Sequence, residues 1–74
     1  MKLIKELSEK YGKEVYDCPQ SGFFMINNRY VLYKKTKKLY DARYNIDVNY
    51  EREKEMDVSQ YIFDIRDELL KYIK

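Results

Sequence analysis

Phe23-Phe24-Met25-Ile26-Asn27-Asn28-Arg29-Tyr30-Val31-Leu32-Tyr33-Lys34-Lys35 is the stretch on which the fold turns. Two runs rich in aromatic and β-branched residues flank Asn27-Asn28, a pair that tolerates the positive φ values of a type I′ turn. The spacing predicts a β-hairpin with strands over about 22–26 and 29–35. Past the Lys-Thr-Lys-Lys turn, Tyr40, Ala42, Tyr44, Ile46, Val48 and Tyr50 alternate with Asp41, Arg43, Asn45, Asp47 and Asn49. That period of two predicts a further strand over about 39–49, one side in the core and the other wet.

Working outward, Glu14-Val15-Tyr16-Asp17 reads as a short edge strand over 14–17. Pro19 closes it, having no N–H for a ladder and restricting the residue before it. Leu3, Ile4, Leu7 and Tyr11 recur at helical spacing and predict a helix over about 2–11. Gly12 stands where a C-terminal cap belongs, and Lys10 in the last turn suits the helix dipole. At the other end, Glu51 to Asp57 holds six charges in seven residues, a solvated connection or a frayed first helical turn. Asp57 with Gln60 resembles a capping box, and Val58, Tyr61, Ile62, Ile65, Leu69, Tyr72 and Ile73 follow at helical spacing, predicting a helix over about 57–73. The fold class is α+β, with an N-terminal helix, a three- to four-stranded antiparallel meander of hairpins, and a C-terminal helix in one domain over 1–74.

Seventy-four residues, 45% hydrophobic and 38% charged, make a small domain with little room for a large core. Such a chain buries only about 60% of its unfolded surface, so the packing of nine Tyr and three Phe matters. The single thiol, Cys18, has no partner for an internal disulfide or a structural zinc site, which fits a reducing cytoplasm. Charges interrupt every apolar run near Met1, so neither a signal peptide nor a membrane span is expected.

Histidine is absent, which removes the usual neutral-pH base and every Ser/His or Cys/His nucleophile. The only glycines, Gly12 and Gly22, stand too far apart for a phosphate-cradling loop. These exclusions point to a non-enzyme without a cofactor. A carboxylate pair such as Asp64 with Glu68 is the residual catalytic option, on a helix rich in other charges. Asp64, Asp67 and Glu68 read as a solvated face answering Arg66 and Lys71 rather than a metal site. Cys18 has no adjacent cation to lower its pKa, so it reads as a packed or loop thiol.

Strand register supplies the first functional clue. A two-residue Asn27-Asn28 turn sets Met25 against Tyr30 and Phe23 against Leu32, with Phe24 against Val31 on the other side. A second turn centred on Thr36-Lys37 then assigns Phe24, Ile26, Val31, Tyr33, Tyr40, Ala42, Tyr44 and Ile46 to the helix-covered face. Phe23, Met25, Tyr30, Leu32 and Leu39 are left as an uncovered apolar row, and a three-residue second turn swaps the two sets. Exposed apolar rows mark interfaces in soluble proteins. Against this stands the arrangement in which one helix covers each face, or the N-terminal segment folds over the second.

Charge supplies the second clue. Arg29, Lys34, Lys35, Lys37, Lys38 and Arg43 crowd the hairpin region against Asp41, interleaved with Tyr30, Tyr33, Tyr40 and Tyr44. Such a surface can grip phosphates and stack bases, although a net charge of +2 is low for that role. Lysine-rich turns also serve simply as solvated guards against edge-to-edge aggregation.

The order helix, antiparallel sheet, helix, with Tyr16 and then Gly22, resembles the double-stranded-RNA-binding domain. The resemblance implies its topology and not its binding residues: the Gly-Pro-x-His loop is absent, and Asp57-Val58-Ser59-Gln60 stands where that family carries a Lys-Lys-rich helix start. In size and composition the chain is similar to small accessory proteins of phages and mobile elements, anti-CRISPR proteins among them.

The expected function is a non-enzymatic protein-binding module, a regulator or inhibitor acting by steric occupation of a partner, with Phe23, Met25, Tyr30, Leu32 and Leu39 as the contact row. The basic residues would steer it toward an acidic protein or a nucleic-acid-handling enzyme, and it would be a monomer or a homodimer. The alternative is direct nucleic-acid binding by the hairpin over 29–44. Leu32→Asp or Tyr30→Asp is expected to break the interface and leave the fold intact, whereas charge reversal at Lys37 and Lys38 abolishes nucleic-acid binding.

Overall fold

Asn27 and Asn28 both adopt φ of +54°, and the Arg29 N–H donates to the Ile26 carbonyl at 3.1 Å, closing the tight turn. The ladder itself, however, pairs Ile26 with Tyr30, then Met25 with Val31, Phe24 with Leu32 and Phe23 with Tyr33. Arg29 is thus one additional residue on the return strand, and a one-residue slip turns every following side chain to the other face.

The computed structural model describes residues 1–48 and 59–73. In chain order the elements are β1 (Lys2–Leu3), α1 (Lys5–Tyr11), β2 (Val15–Cys18), β3 (Phe23–Ile26), β4 (Tyr30–Tyr33), β5 (Leu39–Asp41), β6 (Ile46–Asp47) and α2 (Gln60–Leu70). All six strands form one antiparallel sheet in sequential order, an α+β meander between two helices with more strands than the sequence suggested.

The additional strands arise at the two ends of the sheet. Lys2 and Leu3 are the edge strand β1, paired with Asp17 and Tyr16, and not the first turn of a helix. The Ile4 N–H donates to the Val15 carbonyl at 2.8 Å, so the chain is held extended until α1 begins. The expected strand over 39–49 is two strands with a turn between them. Asn45 enters the left-handed region at φ +54°, and the Asp41 carboxylate accepts the Arg43 N–H at 3.0 Å, a side-chain turn that competes with a continuing ladder. Ala42 and Tyr44, expected in the core, are therefore exposed at that turn.

Gly12 caps α1 at φ +63°, its N–H donating to the Ser8 carbonyl. Ser8 then ties the helix to β2, its hydroxyl oxygen accepting the Val15 N–H at 3.0 Å. The Asp57–Gln60 capping box and the acidic segment before it lie outside the described residues. The described α2 has Ser59 as its N-cap, without a side-chain capping bond, and ends at Leu70 rather than 73.

Both helices pack on one side of the sheet. Leu7 of α1 and Ile62, Phe63, Ile65 and Leu69 of α2 join Val15, Phe24, Ile26, Tyr30, Leu32, Leu39 and Val48 in a single buried cluster. Each fully buried aliphatic or phenyl side chain contributes about 1.5–3 kcal/mol. Between the helices, the Tyr11 hydroxyl donates to Glu68 Oε2 while Lys10 Nζ reaches Glu68 Oε1 at 3.0 Å. The hydrogen bond to the Glu68 carboxylate pushes the Tyr11 pKa up to about 12, and the same bond together with Lys10 holds Glu68 below its ordinary range.

Candidate functional site

The register places a continuous row on the side away from the helices: Leu3, Tyr16, Met25, Val31, Tyr40 and Asp47 sit opposite one another across all six strands. A second, shorter row runs Cys18, Phe23, Tyr33. The Phe23 and Tyr33 rings meet edge to face at 5.9 Å, and Tyr33 meets Tyr40 in the same way at 5.5 Å. Edge-to-face aromatic contacts of this kind contribute about 0.5–1.5 kcal/mol beyond what area burial alone gives. No member of either row belongs to the buried cluster beneath the helices, although Leu3 and Tyr16 share a concavity with Lys5, Ser8 and Glu9 of α1. Val31 and Cys18 are nonetheless buried, Tyr16, Phe23, Met25 and Tyr40 are half-buried, and Leu3 and Tyr33 are 45% and 41% exposed.

Two open concavities shape this face. One, about 360 Å³, lies against Cys18, Phe23 and Met25 with Met1, Pro19 and Gln20 around it. The other, about 390 Å³, lies between Tyr33, Thr36, Tyr40 and Asn45 at the opposite half of the sheet.

The predicted contact row divides. Phe23 and Met25 lie on the open face as expected. Tyr30, Leu32 and Leu39 do not: they are 4%, 0% and 1% exposed and belong to the core. The physical reason is Arg29, which has no partner in the β3–β4 ladder and so shifts the parity of β4 and, through it, of β5 against β3. Their places on the open face are taken by Val31, Tyr33 and Tyr40, with Tyr16 and Leu3 extending the row. For Val31, Tyr33 and Tyr40 the signal was present in the strand alternation and only the parity between strands was missing, whereas Leu3 carried no local strand signal.

The basic residues divide as well. Arg29 donates to Asp41 through Nε at 3.0 and 3.1 Å and through Nη2 at 2.7 Å, a bidentate pair around a carboxylate that is fully buried. Those hydrogen bonds raise the Arg29 pKa, so the guanidinium stays charged, and it lies 5.1 Å and 5.3 Å from the Tyr30 and Tyr44 ring centres. Lys34 pairs with Asp17 at 2.7 Å and covers the Phe24 ring. Arg29 and Lys34 are therefore each engaged by a carboxylate within the fold. Arg43 stands over Tyr44 on the β5–β6 turn, at the Arg29 end of β4, whereas Lys35, Lys37 and Lys38 follow β4 at its other end. The last three are exposed and make no ion pair among the described residues.

Asp64, Asp67 and Glu68 are each taken up locally, by Gln60, by Arg66, and by Lys10 with Tyr11. Cys18 is a free, buried thiol. Among the described residues no helix is long and apolar enough to cross a membrane. No family model, curated protein or solved structure matches the chain.

Proposed function

We propose that the chain is a non-enzymatic protein-binding module of the reducing cytoplasm, a regulator or inhibitor that acts by occupying a partner's surface. The observation that carries this reading is the partly exposed row Leu3, Tyr16 and Met25, flanked by Phe23, on a sheet whose other side already holds both helices. Tyr and Met suit a contact surface, one being amphipathic and rigid, the other adaptable. The absence of histidine supports the non-catalytic part. The occupant is a protein surface that is apolar at its centre and carries carboxylates at one border, where Lys35, Lys37 and Lys38 speed and orient the encounter. A protein with these properties matches the style of small phage and mobile-element inhibitors, and monomer or homodimer are both compatible with it.

The test is a comparison of captured proteins, followed by reconstitution with the purified partner. Wild-type and Lys71→Glu protein, altered at the exposed end of α2, should bind the same partner, and Met25→Asp and Tyr16→Asp should lose it while keeping the circular dichroism and thermal midpoint of a folded domain. Retained binding by both aspartate variants removes the open face from the contact.

A further inference from the structure

The Tyr33–Tyr40 corner differs from the rest of the open face in ways that an apolar contact does not require. Its concavity of about 390 Å³ has two aromatic walls and two polar groups, the Thr36 hydroxyl and the Asn45 carboxamide. Thr36 Oγ1 accepts the Lys38 N–H at 3.4 Å, which leaves its O–H free to donate. Asn45 is exposed and its side chain makes no hydrogen bond among the described residues, so the carboxamide offers one donor and one acceptor group to a ligand. Lys35, Lys37 and Lys38 surround Thr36 in the same loop and make no ion pair among the described residues.

We propose that this corner binds a nucleoside phosphate, with the base against Tyr33 and Tyr40 and the phosphate at the Lys35–Lys37–Lys38 loop. Stacking on tyrosine is available to every base, and an asparagine carboxamide can pair with the donor and acceptor on a base edge. The three lysines lie in the loop that holds Thr36 and follows Tyr33, so the phosphate is placed at that end of the corner. The inference does not rest on the protein-contact reading, whose apolar row lies on β1 to β4, although both readings draw on the same three lysines.

The chemistry has two sources, a free nucleotide or a unit of a single strand. Binding is measured with adenosine monophosphate by calorimetry and with a labelled oligodeoxyadenylate by fluorescence anisotropy, at low and at physiological salt. Tyr33→Ala removes an exposed ring and should weaken either ligand about tenfold. Asn45→Gly keeps the left-handed turn, φ +54°, and should also weaken binding. Lys37→Gln should lower the salt slope of oligonucleotide binding by about 0.7. Binding of both ligands with these losses identifies the free nucleotide as sufficient, and binding of the oligonucleotide alone identifies the strand as the source. Absence of binding by either ligand overturns the proposal. So does oligonucleotide binding that ignores Tyr33→Ala and Asn45→Gly, or that a polyglutamate peptide competes equally, since the lysines alone would then account for it.

Discussion

One sheet presents two faces built from the same residue types, with opposite fates. On the helical side, Phe24, Ile26, Leu32 and Leu39 are closed under Leu7, Ile62, Ile65 and Leu69. On the other side, Phe23, Met25, Tyr33 and Tyr40 are left in contact with solvent. Hydrophobicity does not separate the two sets, since Phe23 and Phe24 are neighbours in sequence. What separates them is parity, and the parity of β4 against β3 is set by a single residue left out of their ladder, Arg29. A functional surface can therefore be assigned from composition and misplaced by one position.

The largest expected effect that tests this contrast is Leu32→Asp. It removes a fully buried side chain and inserts an unpartnered charge, and should cost at least about 4 kcal/mol, most of the stability of a domain this small. Urea denaturation should find the variant largely unfolded; a folded Leu32→Asp protein would return Leu32 to the open face. Tyr30→Asp should behave likewise. Both are the reverse of what the simple two-residue register predicts.

Next in size is Asp41→Ala. It strips Arg29 of both carboxylate oxygens and the Arg43 N–H of its acceptor, and a broken buried pair costs about 3–5 kcal/mol. If Arg29 is held in its place by that carboxylate, amide exchange in the Asn27–Tyr30 turn should accelerate more than in β2. Uniform acceleration would show the pair to be generic to the fold and not specific to the register.

Met25→Asp, on the open face, should cost no more than about 1 kcal/mol, because a half-buried surface position can hydrate the new charge. A loss as large as that of Leu32→Asp would erase the difference between the two faces.

The smallest effect is the pH dependence carried by the clamp between the helices. Tyr11 has a folded pKa of about 12 against an ordinary 10, so its contribution is complete below pH 10 and fades as pH rises from 10 toward 12. Glu68 is lowered in the fold, so its contribution is complete above about pH 4.5 and is lost as pH falls below that value. Thermal midpoints across pH should show Tyr11→Phe flattening the alkaline decline and part of the acid decline. Unchanged curves would mean that the pair contributes nothing in solution.

Local signals in the sequence specified much of this architecture. The Asn27-Asn28 turn, the cap at Gly12, the end of β2 ahead of Pro19 and the apolar stripe of Ile62, Ile65 and Leu69 all appear where residue chemistry placed them. Long-range pairing was not legible to the same degree. Nothing local to Lys2 and Leu3 shows that they join Asp17 and Tyr16, so a helical pattern was the natural reading of that segment. Over 39–47, an alternating pattern concealed a turn whose marks were Asn45 and the side chain of Asp41. Arg29 and Lys34 look like free cations in a linear sequence, and only the fold brings Asp41 and Asp17 to them.

The six-stranded order also bears on how the chain behaves when concentrated. Phe23–Ile26 and Tyr30–Tyr33, two runs rich in strand-forming side chains that could template fibrils, are the inner strands β3 and β4, with both flanks hydrogen-bonded. The strands at the rims, β1 and β6, are two residues each and begin or end in charge, at Lys2 and Asp47. Strand-by-strand growth from such short, charged rims has little to build on. Colloidal self-association of the native chain, where it occurs, should therefore proceed by stacking of broad tyrosine-rich surfaces and respond to aromatic additives, with no seeding or lag phase.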